Sequence, residues 1–548
     1  MIKIFSFLIF LFSFYSSAYS QSPQLLKDIN ADTSAIDLYD ASMLEYNGKA
    51  YFSADDGISG TELWVTDGTT AGTQLMADIW PGNGSGSPKG RIIYNGLIYF
   101  AASDPAHGQE LWATDGTAQG SYLIKDIYPG LNGSGANNFI LYNNKLFFSA
   151  SDATHGVELW STDGTDTGTY MLKDIRSGAG FGFCSGSFVF NGKLFFSAND
   201  GLHGYEPWVT DGTEQGTQML KDIFPGLGDG YSYAQFTAFN NKLYFSANDG
   251  VHGFELWETD GTESGTSLVV DLFVGPGSGY PAGIVVHNGA MYFPAADSAN
   301  GREIWTSDGT AAGTVIIKDI RSGTNGSFPA GIATYNGNLY FRASDSATGA
   351  ELWTSDGTGT GTQLVKDIMP GLSASFPRNL ITYRNHLYFV AAQSQTDGYQ
   401  LFRYSDSTGI TEQVVPASYF PNACTDSDMD QFTMPSIVSG ILYYPATYDS
   451  LGTEFYFIKP SLIGIEELGD GLTVCVFPNP SATSIVISLE SPRQESEVIF
   501  ADLQGKKLLK EKFYKMVRMD ISSFAPGIYS LQITSQDARV TKRIIRSN

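Results

Sequence analysis

An aromatic ladder constrains this chain more than any other feature. Trp64, Trp112, Trp160, Trp208, Trp257, Trp305 and Trp353 recur at steps of about 48 residues. Self-similarity at such a period is the mark of a repeat architecture, in which one supersecondary unit is copied and stacked. Around each Trp sits a phrase close to E-L-W-x-T-D-G-T, as in Glu110-Leu111-Trp112-Ala113-Thr114-Asp115-Gly116-Thr117. An eighth copy carries Phe402 in the Trp place and Asp406 in the Asp place, and a ninth is visible around Glu454-Phe455-Tyr456.

Each unit divides into four strand-length pieces. In the fourth unit, Ser187 to Phe190 is followed by Asn191-Gly192, a two-residue hairpin signal. Lys193 to Ala198 is the second piece, Tyr205 to Thr210 the third, and the D-G-T-x-x-G-T turn leads into the fourth, Gln218 to Ile223. Four antiparallel strands per unit predict a β-propeller blade and not a solenoid coil. The second strand counts the blades better than Trp does. Its aromatic pair appears at Tyr51-Phe52, Tyr99-Phe100, Phe147-Phe148, Phe195-Phe196, Tyr244-Phe245, Tyr292-Phe293, Tyr340-Phe341, Tyr388-Phe389 and Tyr443-Tyr444, which predicts about nine blades. A ring of eight with one stray unit is the alternative.

The ninth unit lacks a fourth strand of its own. Leu25-Leu26-Lys27-Asp28-Ile29 copies that strand, as in Leu172-Lys173-Asp174-Ile175. The N-terminal segment is therefore expected to pair into the last blade and close the ring, removing its open sheet edges. Strand order puts the loops between second and third strands on one face with the loops between blades. The interblade loops must run from the outer edge back to the channel, and ligand sites gather on such loops over a rigid scaffold.

Residues 1–20 read as a signal peptide: Lys3, an apolar run from Ile4 to Tyr15, and the small-x-small site Ala18-Tyr19-Ser20. No other segment reads as a transmembrane span. The domain reading is thus 1–20 signal peptide, 21–460 propeller, 461–472 linker and 473–548 a C-terminal module. The net charge of −25 argues against nucleic acid as a partner, because phosphate binding needs basic patches. Cys184, Cys424 and Cys475 give neither a disulfide framework nor a zinc pattern.

The recurrent polar residues read as turn chemistry. Asp67, Asp115 and Asp163 start D-G-T turns, where Asp accepts nearby backbone N–H groups and Gly takes a positive φ. His107, His155, His203 and His252 share one loop position, each before a Gly, with Ser59, Asn300, Thr348 or Asp397 in its place elsewhere. Blades fan apart, so these His are not expected to meet on one metal. Asp55, Asp104, Asp152, Asp200, Asp249, Asp297 and Asp345 form a second acidic set. Glu110 is expected to pair with Lys125 across the third and fourth strands. Asp426, Asp428 and Asp430 alternate along a longer loop and are the calcium candidates, though they form only a fragment of a calcium-loop pattern. No other cofactor is implied. No catalytic set is present: there is no H-E-x-x-H, G-x-S-x-G, phosphate loop or Cys/His cluster.

Past residue 473 the chain turns basic and carries alternating apolar runs at Ser484 to Leu489, Ser496 to Leu503, Val517 to Ile521, Ile528 to Ile533 and Val540 to Ile545. These predict a small Ig-like β-sandwich. Val476-Phe477-Pro478-Asn479-Pro480, Asp502-Leu503-Gln504-Gly505-Lys506, Pro526-Gly527-Ile528-Tyr529 and Lys542-Arg543-Ile544-Ile545 follow one another in order. Together they resemble the type A C-terminal sorting domain of the type IX (Por) secretion system, with Pro478, Asn479, Pro480, Gly505, Gly527 and Tyr529 as its signature positions. The resemblance implies passage through the periplasm and export to the cell surface or the medium, with the secretion machinery as partner. The repeat phrase likewise resembles the ELWxxDGT (hyalin-like) repeat family, which implies no established activity. The expectation is a non-enzymatic secreted or surface binding protein, presenting a rigid disk to a glycan, a surface protein or a cation. The alternative is a secreted glycan-active enzyme with its site on the variable-loop face.

Overall fold

The computed structural model describes residues 24–546 apart from 38–39, 232–234, 395–398, 415–434, 448–451, 459–465, 469–471, 478–483, 491–495, 503, 514–515 and 536–537. The chain divides into two compact units, Met1–Ile458 and Lys459–Asn548. Every described regular element is a β-strand.

The first unit holds nine four-stranded antiparallel sheets. In chain order the blades span 44–77, 89–125, 137–173, 183–219, 237–270, 285–318, 330–366, 378–413 and 436–458. Blades one to eight take all four strands in sequence. The ninth takes Ser436–Val438, Ile441–Thr447 and Thr453–Ile458, and its outer strand is Gln24–Leu25. Gln24 lies opposite Phe457 and Leu25 opposite Tyr456. The ring is therefore closed by the N-terminal segment, and the eight-bladed alternative falls.

The core explains why nine sheets stay in a ring. Apolar side chains are buried between blades, in one cluster for each neighbouring pair. Tyr51, Leu63 and Met76 of the first blade pack on Ile98 and Phe100 of the second, and this arrangement repeats round to the ninth blade. There Val438, Phe455 and Phe457 meet Phe52 and Trp64 of the first blade across the seam, with Leu26 and Ile29. The second aromatic of each pair is the most enclosed residue: Phe52, Phe100, Phe148, Phe196, Phe245 and Phe293 have no exposed surface. Each contributes about 1.5–3 kcal/mol by burial. The hairpins are as their residues predict. Asn191 (φ 46°) and Gly192 (φ 73°) are both left-handed, as a tight turn between twisted strands requires.

The second unit has two four-stranded sheets. One pairs Glu466–Leu468, Leu472–Phe477, Ser484–Glu490 and Met516–Asp520; the other pairs Lys507–Phe513, Ser496–Ala501, Gly527–Ser535 and Ala538–Arg546. Ile485, Ile487, Val498, Phe500, Leu531 and Ile533 fill the space between them, which makes a β-sandwich. Residues 466–468 and 472 already pair within this unit, inside the segment expected to be linker.

Candidate functional site

The repeated polar residues are consumed by the scaffold. Asp67 Oδ1 accepts the N–H of Thr69 at 3.0 Å and its hydroxyl at 2.6 Å. The same turn recurs at Asp115, whose carboxyl is held below the usual range by the Thr117 hydroxyl and N–H. The later Gly of this turn leaves room for the Asp: a Cβ on Gly72 would stand 2.0 Å from Asp67 Oδ1 and displace that carboxylate.

The histidines also close turns. Asp104 accepts the N–H groups of Ala106 (2.8 Å) and His107 (2.7 Å), and His107 Nδ1 lies 2.8 Å from Asp104 Oδ2. The hydrogen bond to Asp104 raises the His107 pKa. Asn300 and Thr348 reach the matching aspartates, at 2.8 and 3.0 Å. In the first blade the matching aspartate is Asp56, which accepts Ile58 and Ser59 N–H groups; Asp55 stands one place earlier, where the fourth blade has Asn199. That corrects the membership of the acidic set. Among the described residues no group of three or more His, Cys, Asp or Glu could hold a metal ion. Asp426, Asp428 and Asp430 lie outside the described residues.

The expected Glu110–Lys125 pair does not form. Lys125 is opposite Leu111, and its Nζ reaches the next blade, at 3.0 Å from the Asp166 carbonyl and 3.2 Å from its carboxylate. Glu110 points the other way and is fully buried. It accepts the N–H groups of Tyr128 and Ser134 at 3.0 Å each and the Ser134 hydroxyl at 2.6 Å. Each equivalent glutamate clamps the loop to the next blade in this way. Glu62 takes Ile79, Trp80 and Gly86, and Glu255 takes Leu272, Phe273 and Gly279. Burial raises their pKa values against the opposing pull of these N–H groups, to about 7 at Glu62 and Glu255 and about 8 at Glu206. The clamps are hard to read from the sequence, because the partners are mostly backbone N–H groups 17 to 24 residues away.

What remains for a ligand is on the loop face, where these clamps fix the interblade loops. Two adjoining cavities of about 390 and 600 Å³ share Gln235, Ala282, Gly283 and Ile284. They form one groove across the fourth to seventh blades. Tyr280 and Phe328 rise from successive interblade loops, 55% and 59% exposed. Both are left-handed (φ 47° and 50°) and both precede a proline, a costly backbone for a bulky residue. Such strain persists only where the surroundings fix it. Here Tyr280 N–H bonds to the Phe254 carbonyl at 3.0 Å and the two rings stack at 5.5 Å. The Arg302 carbonyl accepts Ser327 and Phe328 N–H groups at 2.9 and 3.1 Å, while its guanidinium donates to the Tyr280 carbonyl at 2.9 Å. One residue thus ties both aromatic loops. Arg342 also lines the larger cavity. Gln235 accepts the Gly283 N–H at 3.3 Å, which leaves its NH₂ end to donate. The described lining residues carry aromatic, aliphatic, hydroxyl, amide and guanidinium groups, and none of them is a carboxylate, imidazole or thiol.

In the second unit, the signature positions that are described serve turns and packing. Gly505 is left-handed (φ 84°) in a turn where Asp502 accepts Gln504 and Lys506 N–H groups at 3.0 and 2.8 Å. Gly527 opens a strand, and Tyr529 stacks on Phe500 at 4.8 Å while its hydroxyl donates to the Ala525 carbonyl at 2.6 Å. Pro478, Asn479 and Pro480 lie outside the described residues.

Residues 475–547 match the family described as the secretion system C-terminal sorting domain. That domain directs secretion through the type IX system to the cell surface or extracellular space, and makes the secretion machinery a partner. Among the described residues no helix is long and apolar enough to cross a membrane. No curated protein matches the chain. Solved structures similar to it include a prolyl endopeptidase (13% identity, TM-score 0.36, covering 74% of this chain and 55% of that one). Others are a puromycin hydrolase (12%, 0.34, 86% and 61%) and oligopeptidase B from Leishmania major (10%, 0.34, 74% and 53%). The chain spans less than two thirds of the length of each of these structures.

Proposed function

We propose that the protein is a secreted, non-enzymatic binding protein of the ELWxxDGT-repeat type, which holds a glycan in the groove between Tyr280 and Phe328. The carrying observation is the lining itself. Exposed aromatic faces suit the C–H faces of sugar rings, and Gln235 and Arg302 offer donors for hydroxyl groups. Binding without turnover is favoured because glycoside hydrolysis uses a pair of carboxyl groups flanking the bond, and the described lining residues of the two cavities include none. In this reading residues 1–20, outside the described residues, are the signal peptide that starts the export route. The test is a polysaccharide and oligosaccharide array with product analysis, run on the wild type and on Tyr280→Ala and Phe328→Ala. Binding without products, lost in the variants at unchanged melting temperature, is the expected result. Released sugars would favour the enzyme instead.

A further inference from the structure

Resting on the reading that the groove takes a glycan, we propose that this glycan is acidic, its carboxylate or sulfate group held by Arg302 and Arg342. Two departures from the repeat carry the inference. Arg302 takes the place held by Thr61, Gln109, Val157, Tyr205, Phe254 and Ala350 in other blades. Arg342 takes the place of Ser53, Ala101, Ser149, Ser197, Ser246 and Pro294. No other blade has a cation at either position, yet these two fall in consecutive blades and line one cavity of about 600 Å³.

Charge complementarity points the same way. The chain carries 57 acidic against 32 basic residues, so an anionic polymer is repelled by most of it. The groove is different: among its described lining residues the charged ones are the two arginines. Burial pushes the Arg302 guanidinium below its usual range with no carboxylate among the described residues opposing it. A bound anion would offset that cost. One of its N–H groups serves Tyr280, and a guanidinium has five in a fork that fits carboxylate or sulfate oxygens. Phe328 lines the same cavity as the arginines and Tyr280 the adjoining one, which suits an anionic group on a sugar ring better than a free ion.

The experiment is titration of the mature full-length chain with alginate (carboxylate), dextran sulfate (sulfate ester) and neutral dextran, at low and high salt, with polyglutamate as control. Binding to one or both acidic polymers is expected, weakened by salt and at least about tenfold tighter than to dextran. Arg342→Met should lose about tenfold or more, and Arg342→Lys should retain part of the affinity. Arg302→Met removes the tie to Tyr280, so its melting temperature is measured alongside; Arg342→Glu, which leaves that tie intact, should abolish binding. Equal, salt-independent binding of dextran would overturn the acidic assignment and leave the glycan reading standing. Binding of polyglutamate as tight as alginate would overturn it too, since charge alone would then be read. Failure of every polysaccharide on a broad array would remove the glycan reading itself.

Discussion

Ile29 donates its backbone N–H to the Glu454 carboxylate at 3.2 Å, across 425 residues of chain. Asn30 donates to the same oxygen at 3.2 Å. This is the clamp that the glutamates of blades one to seven make to their own next loops, here made between the two ends of the propeller. Deleting residues 21–30 should therefore open the ring. Losing Leu26 and Ile29 from the core forfeits about 3–6 kcal/mol, and a fall of about 5 °C or more in melting temperature is expected. Glu454→Ala should act in the same direction and less strongly. Calorimetry decides it, and an unchanged transition in the deletion variant would refute closure by this segment.

Stability should fall as pH rises through neutrality. Burial lifts Glu62, Glu158, Glu255 and Glu351 to about 7 and Glu206 and Glu454 to about 8, from an ordinary 4.5. Between the unfolded and folded values the native state holds more protons, so this stabilisation is complete below about pH 4.5 and lost as pH passes the folded values. Melting should be higher near pH 5.5 than near pH 8.5, and Glu206→Gln should flatten the slope. A profile that rises over this interval would contradict the assignment. The eighth blade already carries Gln400 at this place.

The second Gly of the D-G-T turn should be coupled to the Asp. A Cβ on Gly216 would lie 2.1 Å from Asp211 Oδ1, which accepts the Thr213 N–H at 2.9 Å and hydroxyl at 2.7 Å. Gly216→Ala must displace that carboxylate, at a loss of about 1–2 kcal/mol. In an Asp211→Ala background the same change should cost clearly less. A denaturant-melt double-mutant cycle reads the difference, and strict additivity would show that the two do not meet.

Truncation after Ile458 should leave a propeller that melts as in the full chain, since each unit has its own core. That chain should accumulate inside the cell in place of the surface or the medium. Fractionation and immunoblotting of cells expressing both forms give the answer, with equal delivery of the two as the adverse result.

Legibility from sequence followed the range of the interactions. Turn residues such as Asp67 and His107 act within three positions, so their neighbours reveal them. The second-strand pairs, such as Tyr51-Phe52, recur with the packing they support, so they count the blades. Leu26 declared itself as a copy of a fourth strand before its partner was known. The Glu110 clamp stayed hidden because most of its partners are backbone N–H groups, which leave no residue signature, and Lys125 offered a plausible wrong partner. Arg302 and Arg342 are visible as irregularities in the repeat. They lie on strands of neighbouring blades, Gly301–Ser307 and Asn338–Asp345, and only the ring brings them to one groove.

The seam has a consequence for quality control. Because the closing strand comes from the start of the chain and its partner strand, Thr453–Ile458, is the last before the sorting domain, the ring can be completed only by a chain that has both. A product clipped at its N-terminus loses Gln24–Leu25 from the last sheet and leaves Thr453–Ile458 as a naked edge. Damage at the first strand is thereby expressed on the last blade, more than 400 residues further along the chain.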